Sequence, residues 1–371
     1  MIRVVETVLG PVDADQLGFV QPHEHLSSDS SAQARALHTA SDEELRAAGI
    51  EPAQRQRLLE PIRMDNLGWI RRYVRNTDNL ALDDEDAVVA SLAEFRAAGG
   101  TAVVDCTSRG IRRNPQALRR ISERSGVHVV MGCGWYIADF HPPEVAERAV
   151  EELAENMITE LEVGVGDPGI KAGVIGEIGT SWPIHPDEEK VLRAAAVAAA
   201  ATGAGMQVHP GRHPDAPKAA LAILGAAGAD LSRVSMSHVD RTVTSVPELV
   251  RLARSGCYLE LDQFGQESTY YPYGDFDVPN DGARITMLRK LLDAGLGERL
   301  LISQDLGYKA LLPRYGGPGY AHLLHDVVPL MRRRSFTEDE IEQITTHNPV
   351  RLLARAAGDG FGAGMSREET A

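Results

Sequence analysis

The chain has 371 residues, 43% of them hydrophobic and 25% charged, which is the composition of a globular protein long enough for one large core. A formal net charge of −15 excludes the broad basic face that nucleic-acid binding needs, while leaving room for a local basic pocket around an anionic small molecule. No apolar run reaches the roughly 18 residues of a membrane span, and Cys106, Cys133 and Cys257 are too few and scattered for a disulfide framework or a zinc ribbon.

In chain order, residues 1–17 are expected to form a short hairpin turning near Gly10-Pro11. They lack the basic start and long apolar stretch of a signal peptide, so with the cysteine usage the expected compartment is the reducing cytoplasm. "GFVQPHEH" (18–25) is the first buried-strand candidate, and it ends in His23, Glu24 and His25. Residues 27–80 follow as a long insertion, expected over the active-site face. Seven more Val/Ile/Leu-rich runs come at 100–107, 128–136, 173–179, 205–211, 233–239, 257–265 and 299–306. Helical stretches rich in Ala, Leu, Glu and Arg, such as 84–99 and 187–203, lie between most of them.

Such alternation implies a parallel sheet, because parallel neighbours need crossovers. Eight units predict an α/β fold, a closed (β/α)8 TIM barrel, in a single domain spanning 1–371. The rival, a doubly wound open sheet, usually carries a Gly-rich phosphate turn after its first strand, and none is present. The tail 357–371 is Gly-rich and polar and is expected to be frayed.

Chemistry gathers at the strand ends. The first run carries His23 and His25, the fourth Glu177, the fifth His209, the sixth His238 and the eighth Asp305. Alternation along a strand turns His23 and His25 to one side and Glu24 to the other. Any one of these histidines alone would read as an ordinary polar strand end, and Asp305 alone as a helix cap. Glu177 is harder to dismiss, because a carboxylate inside "VIGEIG" carries a heavy desolvation cost unless paired or bound to a cation. Four imidazoles and two carboxylates in one register point to a metal site, with more ligands than one tetrahedral zinc requires. Two divalent ions sharing a bridging carboxylate would use them all; zinc suits this donor set, as do manganese, iron and cobalt.

The motifs "PHEHL", "KAGVIGEIGTS", "VHPG", "SHVDRT" and "SQDLG" resemble the phosphotriesterase family of the amidohydrolase superfamily, from about Val5 to Arg351. "HPGRHPDAP", "GCYLELDQFGQE" and "YGGPGYAHLL" resemble its phosphotriesterase-related branch. The resemblance implies a binuclear centre: His23, His25 and Asp305 on the more buried ion, His209 and His238 on the more exposed one, and a hydroxide between them. The bridging position, a carboxylated lysine in the founding phosphotriesterases, is Glu177 here, and Lys171 lies too far upstream to replace it. The implied reaction is hydrolysis of a carbonyl or phosphoryl centre, with Asp305 as the proton acceptor and Asp240 a candidate for orienting the proton path. Gln263 stands near a position where some relatives carry histidine, which weakens any extended relay.

Trp135 and Tyr136 are candidates for an apolar wall, and Arg212, Tyr271, Lys309 and Arg314 for holding an anionic head group. A small N-acyl amide, such as an N-acyl amino acid or N-acyltaurine, is the first expectation for substrate. A lactone, carboxylester or phosphotriester is the alternative. A reading of another class, a ligand-binding barrel without turnover, predicts decay of at least one metal ligand, and all six are present. Related barrels often pair, so a homodimer is also in view.

Overall fold

The computed structural model describes residues 3–166, 169–267, 271–274 and 276–356. The tail singled out above, 357–371, lies outside them.

Eight parallel strands form one sheet in sequence order: β1 Phe19–Glu24, β2 Gly100–Asp105, β3 His128–Cys133, β4 Val174–Gly179, β5 Met206–His209, β6 Val234–Met236, β7 Tyr258–Leu261 and β8 Leu300–Ile302. Every strand expected from the sequence is present, trimmed by one to five residues. The sheet curls until its first and last strands meet, giving a TIM barrel, and one side chain makes three of the hydrogen bonds across that seam. Glu24, the residue between the two histidines, turns its carboxylate into the seam. Its Oε1 accepts from Ser303 Oγ at 2.7 Å and the Gln304 N–H at 2.9 Å, and its Oε2 accepts from the Leu306 N–H at 3.0 Å. The Asp305 N–H donates to the His23 carbonyl at 3.1 Å across the same seam.

Alternation sorts the strand residues. Ala102, Val104, Val130 and Val174 pack with Val5 and Leu353 in one buried cluster, whereas Val103, Val129, Ile175 and Val208 pack in another with apolar residues of the surrounding helices. The helices follow local rules. The helix Glu85–Ala97 is capped by Asp84, whose Oδ1 accepts from the Ala87 N–H at 3.1 Å. The helix Pro186–Thr202 has proline at its first position and ends on Gly203 at φ 68°. Among the described residues, no helix is long and apolar enough to cross a membrane.

The N-terminal hairpin pairs Arg3–Thr7 with Gly10–Asp13, so the turn falls at Val8-Leu9, ahead of the expected Gly10-Pro11. Arg355–Ala356 adds a third strand to it that the sequence did not announce. The insertion folds on a small core of its own, where Leu45, Ile50, Leu58 and Trp69 pack with Ala310 from beyond β8.

Candidate metal centre

The C-terminal ends of the strands carry the site. His23 and His25 project from the end of β1, Glu177 from β4 and His209 from the last residue of β5. His238 lies two residues past β6 and Asp305 three past β8, and both have left-handed backbones at φ 54° and 49°. Gly176, at φ 124°, precedes Glu177, and a Cβ there would collide with the Gln207 carbonyl oxygen, so only glycine lets β4 lie this close to β5.

Glu177 sits at the centre. Its Oε1 is 2.9 Å from His238 Nε2 and 3.7 Å from His23 Nε2, and it also meets His209 Nδ1; its Oε2 is 4.0 Å from His25 Nε2. Asp305 Oδ1 lies 3.2 Å from His25 Nε2 and 3.8 Å from His23 Nε2. Three sets of candidate ligand atoms, His23–His25–Glu177, His23–His238–Asp262 and Glu177–His209–His238, each fall within 4.8 Å of one another, and Glu177 is the carboxylate that two of them share. The structure thus brings together all six side chains singled out from the sequence. Their chemistry suits cations. His23 Nε2 is buried without a hydrogen-bond partner while facing two carboxylates, an orphaned lone pair that a metal ion would satisfy. Burial pushes His209 down to about 4 and holds His238 well below the ordinary range, which favours neutral imidazoles at these two positions, whereas burial is outweighed at His23 by Cys106 and Glu260 and at His25 by Asp305, which raise both. Burial opposes the charge on Glu177, but His209, His238 and His23 hold its carboxyl well below the usual range.

Partners that sequence reasoning passed over fix these ligands from behind. Asp262 Oδ1 is 2.7 Å from His238 Nδ1, and its Oδ2 accepts the His238 backbone N–H at 2.9 Å. Ser237 Oγ is 3.2 Å from His23 Nδ1 and donates to Glu260 Oε2 at 2.9 Å. Thr107 Oγ1 lies 2.9 Å from His25 Nδ1. Such contacts select the tautomer whose other nitrogen can bind metal. The signal was present in "YLELDQ": two carboxylates, at 260 and 262, alternate within an apolar strand.

A cavity of ≈ 80 Å³ opens over the cluster, lined in part by His25, Glu177, His209 and Asp305 and, from the insertion, by Ser28, Ser30 and Gln33. Tyr136, Arg212 and Tyr271 line it, as does Arg241, which was not singled out. Three other candidates lie elsewhere. Trp135 is wholly buried in the core with Arg109 over its ring, because the chain turns after β3 and only the next residue faces the cavity. Lys309 is tied down by Asp78 at 2.5 Å and Asp83 at 2.7 Å. Arg314 is exposed and pairs with Asp84 at 3.2 Å. Asp240 is paired with buried Arg284 at 2.6 Å. Lys171 lies at the opposite end of β4, where its charge acts on Glu6 of the hairpin.

The phosphotriesterase family model matches residues 3–353. The chain belongs to the phosphotriesterase family. Family members are binuclear metal-dependent proteins, and this chain is a metal-dependent hydrolase with clustered residues able to hold ions. It is 40% identical over 356 residues to a phosphotriesterase-related protein of Nematostella vectensis, covering 93% of this chain and 97% of that one. It is 40% identical over 352 residues to the human N-acetyltaurine hydrolase, covering 94% and 97%. Among solved structures, a resiniferatoxin-binding protein from Rhodobacter sphaeroides superposes with a TM-score of 0.85 at 33% identity over 94% of each chain.

Proposed function

We propose that this member hydrolyses a small N-acyl amide, using two ions held by His23, His25, Glu177, His209, His238 and Asp305. The observation that carries the reading is that Glu177 is the carboxylate shared by two ligand sets, one with His23 and His25 and one with His209 and His238, which is what a bridging carboxylate requires. The more buried ion would take His23, His25 and Asp305, the other His209 and His238. An all-imidazole and carboxylate donor set favours zinc, with manganese, iron and cobalt as substitutes.

When bound, such ions supply a water of lowered pKa and a Lewis acid for the scissile oxygen. The protein's own groups do the rest. Asp305, whose side chain faces the cavity and is held down to about 2 by His238 and His25 against the effect of burial, stays ionised. It can take the proton of the attacking water on a carboxylate oxygen and pass it to the departing amine nitrogen. The C–O bond forms as the C–N bond breaks, leaving a carboxylic acid and an amine. Asp262 keeps His238 in one tautomer throughout, and Thr107 orients His25.

The likeness to the N-acetyltaurine hydrolases supports an amide ahead of a lactone or phosphotriester. Protein loaded with zinc or manganese should be assayed on N-acetyl amino acids, N-acetyltaurine, simple lactones and paraoxon-type esters. The amides are expected to give the highest kcat/KM. Faster opening of lactones would replace the amide reading, and about two ions per chain by elemental analysis is expected in either case.

A further inference from the structure

The histidines at positions 209 and 238 are each followed three residues later by an arginine, in "HPGR" and "HVDR". The fold turns this repeated spacing into a shared wall of the cavity. Arg212 comes from the loop after β5, and Arg241 from the short helix Val239–Thr242 after β6. Arg212 Nε donates to Tyr271 Oη at 2.9 Å and Arg241 Nη1 donates to the same oxygen at 3.3 Å. The Arg212 guanidinium also lies over the Tyr273 ring at 5.0 Å.

Neither arginine forms an ion pair with a carboxylate among the described residues. Two other buried arginine side chains do: Arg113 pairs with Glu160 at 2.6 Å, and Arg284 with Asp240 at 2.6 Å. In a protein with 53 acidic residues against 38 basic ones, two adjacent guanidiniums that no described carboxylate pairs are an exception that folding alone does not favour. Arg241 is 2% exposed, and its Nε is a buried donor with no partner. Its Nη2 lies 3.2 Å from His209 Nε2. Burial works against ionising Tyr271, yet the two guanidiniums hold its phenol below the ordinary range, a sign of positive potential at this wall.

We propose that Arg212 and Arg241 form a subsite for the acid group of the substrate, selecting N-acyl amines that carry a carboxylate or sulfonate a short distance from the amide nitrogen. The inference rests on the amide reading above and specifies its substrate class. The short distance follows because only the His209 ring separates Arg241 from Glu177. Paired guanidinium N–H groups match either oxyanion.

The test compares N-acetyltaurine and N-acetyl-β-alanine with the neutral N-(2-hydroxyethyl)acetamide, in the metal-loaded wild type and in Arg212→Met and Arg241→Met. The wild type is expected to prefer an acid substrate. Each substitution should lower kcat/KM for that acid by about 10- to 100-fold, the range of one or two charge-assisted hydrogen bonds. For each variant the loss on the neutral amide should be at least about tenfold smaller than the loss on the acid, and the metal content of Arg212→Met should match the wild type. Whichever acid is faster identifies the oxyanion. Equal losses on acid and neutral substrates, or a wild type that prefers the neutral amide, would overturn the subsite. If no amide is turned over, the amide reading fails by itself, and calorimetric titration with ethanesulfonate and propionate decides the subsite. Binding by the wild type that Arg212→Met removes would sustain it, and no binding of either anion would sink it.

Discussion

At the scale of the residue, the candidate centre depends on side chains held where a flexible chain would not leave them. His238 and Asp305 occupy left-handed backbone at φ 54° and 49°, a conformation costing a non-glycine residue about 1–3 kcal/mol. The carboxylate of Asp262 on the His238 N–H and the His23 carbonyl on the Asp305 N–H help offset that cost. Asp262→Ala is therefore expected to loosen the centre without emptying it. Metal affinity in chelator competition should fall about 10- to 100-fold, with turnover largely regained at saturating metal; unchanged affinity would deny Asp262 its orienting role. Glu177→Ala removes the carboxylate shared by the His23–His25 and His209–His238 ligand sets. Elemental analysis should then find fewer than two ions per chain and the hydrolysis of any amide should drop by at least about 100-fold. Two retained ions would rule out the bridge.

At the scale of the element, Glu24 shows how β1 performs two tasks with a three-residue motif. Its outward neighbours His23 and His25 serve the site, while Glu24 receives three hydrogen bonds from the chain after β8. The carboxyl is completely buried, and burial raises its pKa to about 7 despite those donors. Glu24→Ala would strand the Ser303 hydroxyl and two backbone N–H groups. The expected cost is about 3–5 kcal/mol, from unmade buried hydrogen bonds at roughly 1–3 kcal/mol each, read as a lower denaturation midpoint. Loss of metal without loss of stability would show instead that Glu24 serves only the centre.

For the whole molecule, the buried pair of Glu160 and Arg113, joined by the half-buried Arg109, binds the segment after β2 to the helix Val150–Glu162. Arg113 also donates to the Gly132 carbonyl of β3 at 2.6 Å. Burial opposes the charge on Glu160, but Arg113 and Arg109 hold its pKa below the usual value. A depressed folded-state value means that this stabilisation is complete above the unfolded value of about 4.3 and is lost as pH falls through the folded value. Glu160→Gln leaves Arg113 buried and unpaired, and is expected to cost about 3 kcal/mol at neutral pH. The difference in Tm between variant and wild type should shrink below about pH 4. A gap independent of pH would assign the loss to packing.

Much of this protein was legible in its sequence. Strand–helix alternation gave the barrel, since period-2 apolar runs between amphipathic helices leave a parallel sheet few other closures. Side-chain alternation gave the shared direction of His23 and His25, and the cost of burying a lone carboxylate marked Glu177. Those are local rules, written within a few residues of the groups they govern. The tertiary structure alone decided what depends on neighbours distant in the chain. Trp135 and Tyr136 are adjacent, yet one is core and the other faces the cavity, because the direction of a turn is set by what packs on it. Lys309 looked available until Asp78 and Asp83, more than 220 residues earlier, closed on it from the insertion and the segment after it. Arg212 and Arg241 carry no local mark of lacking a carboxylate partner among the described residues; that becomes visible only once the loops after β5 and β6 are folded side by side, because whether a charge is paired depends on every element that reaches it.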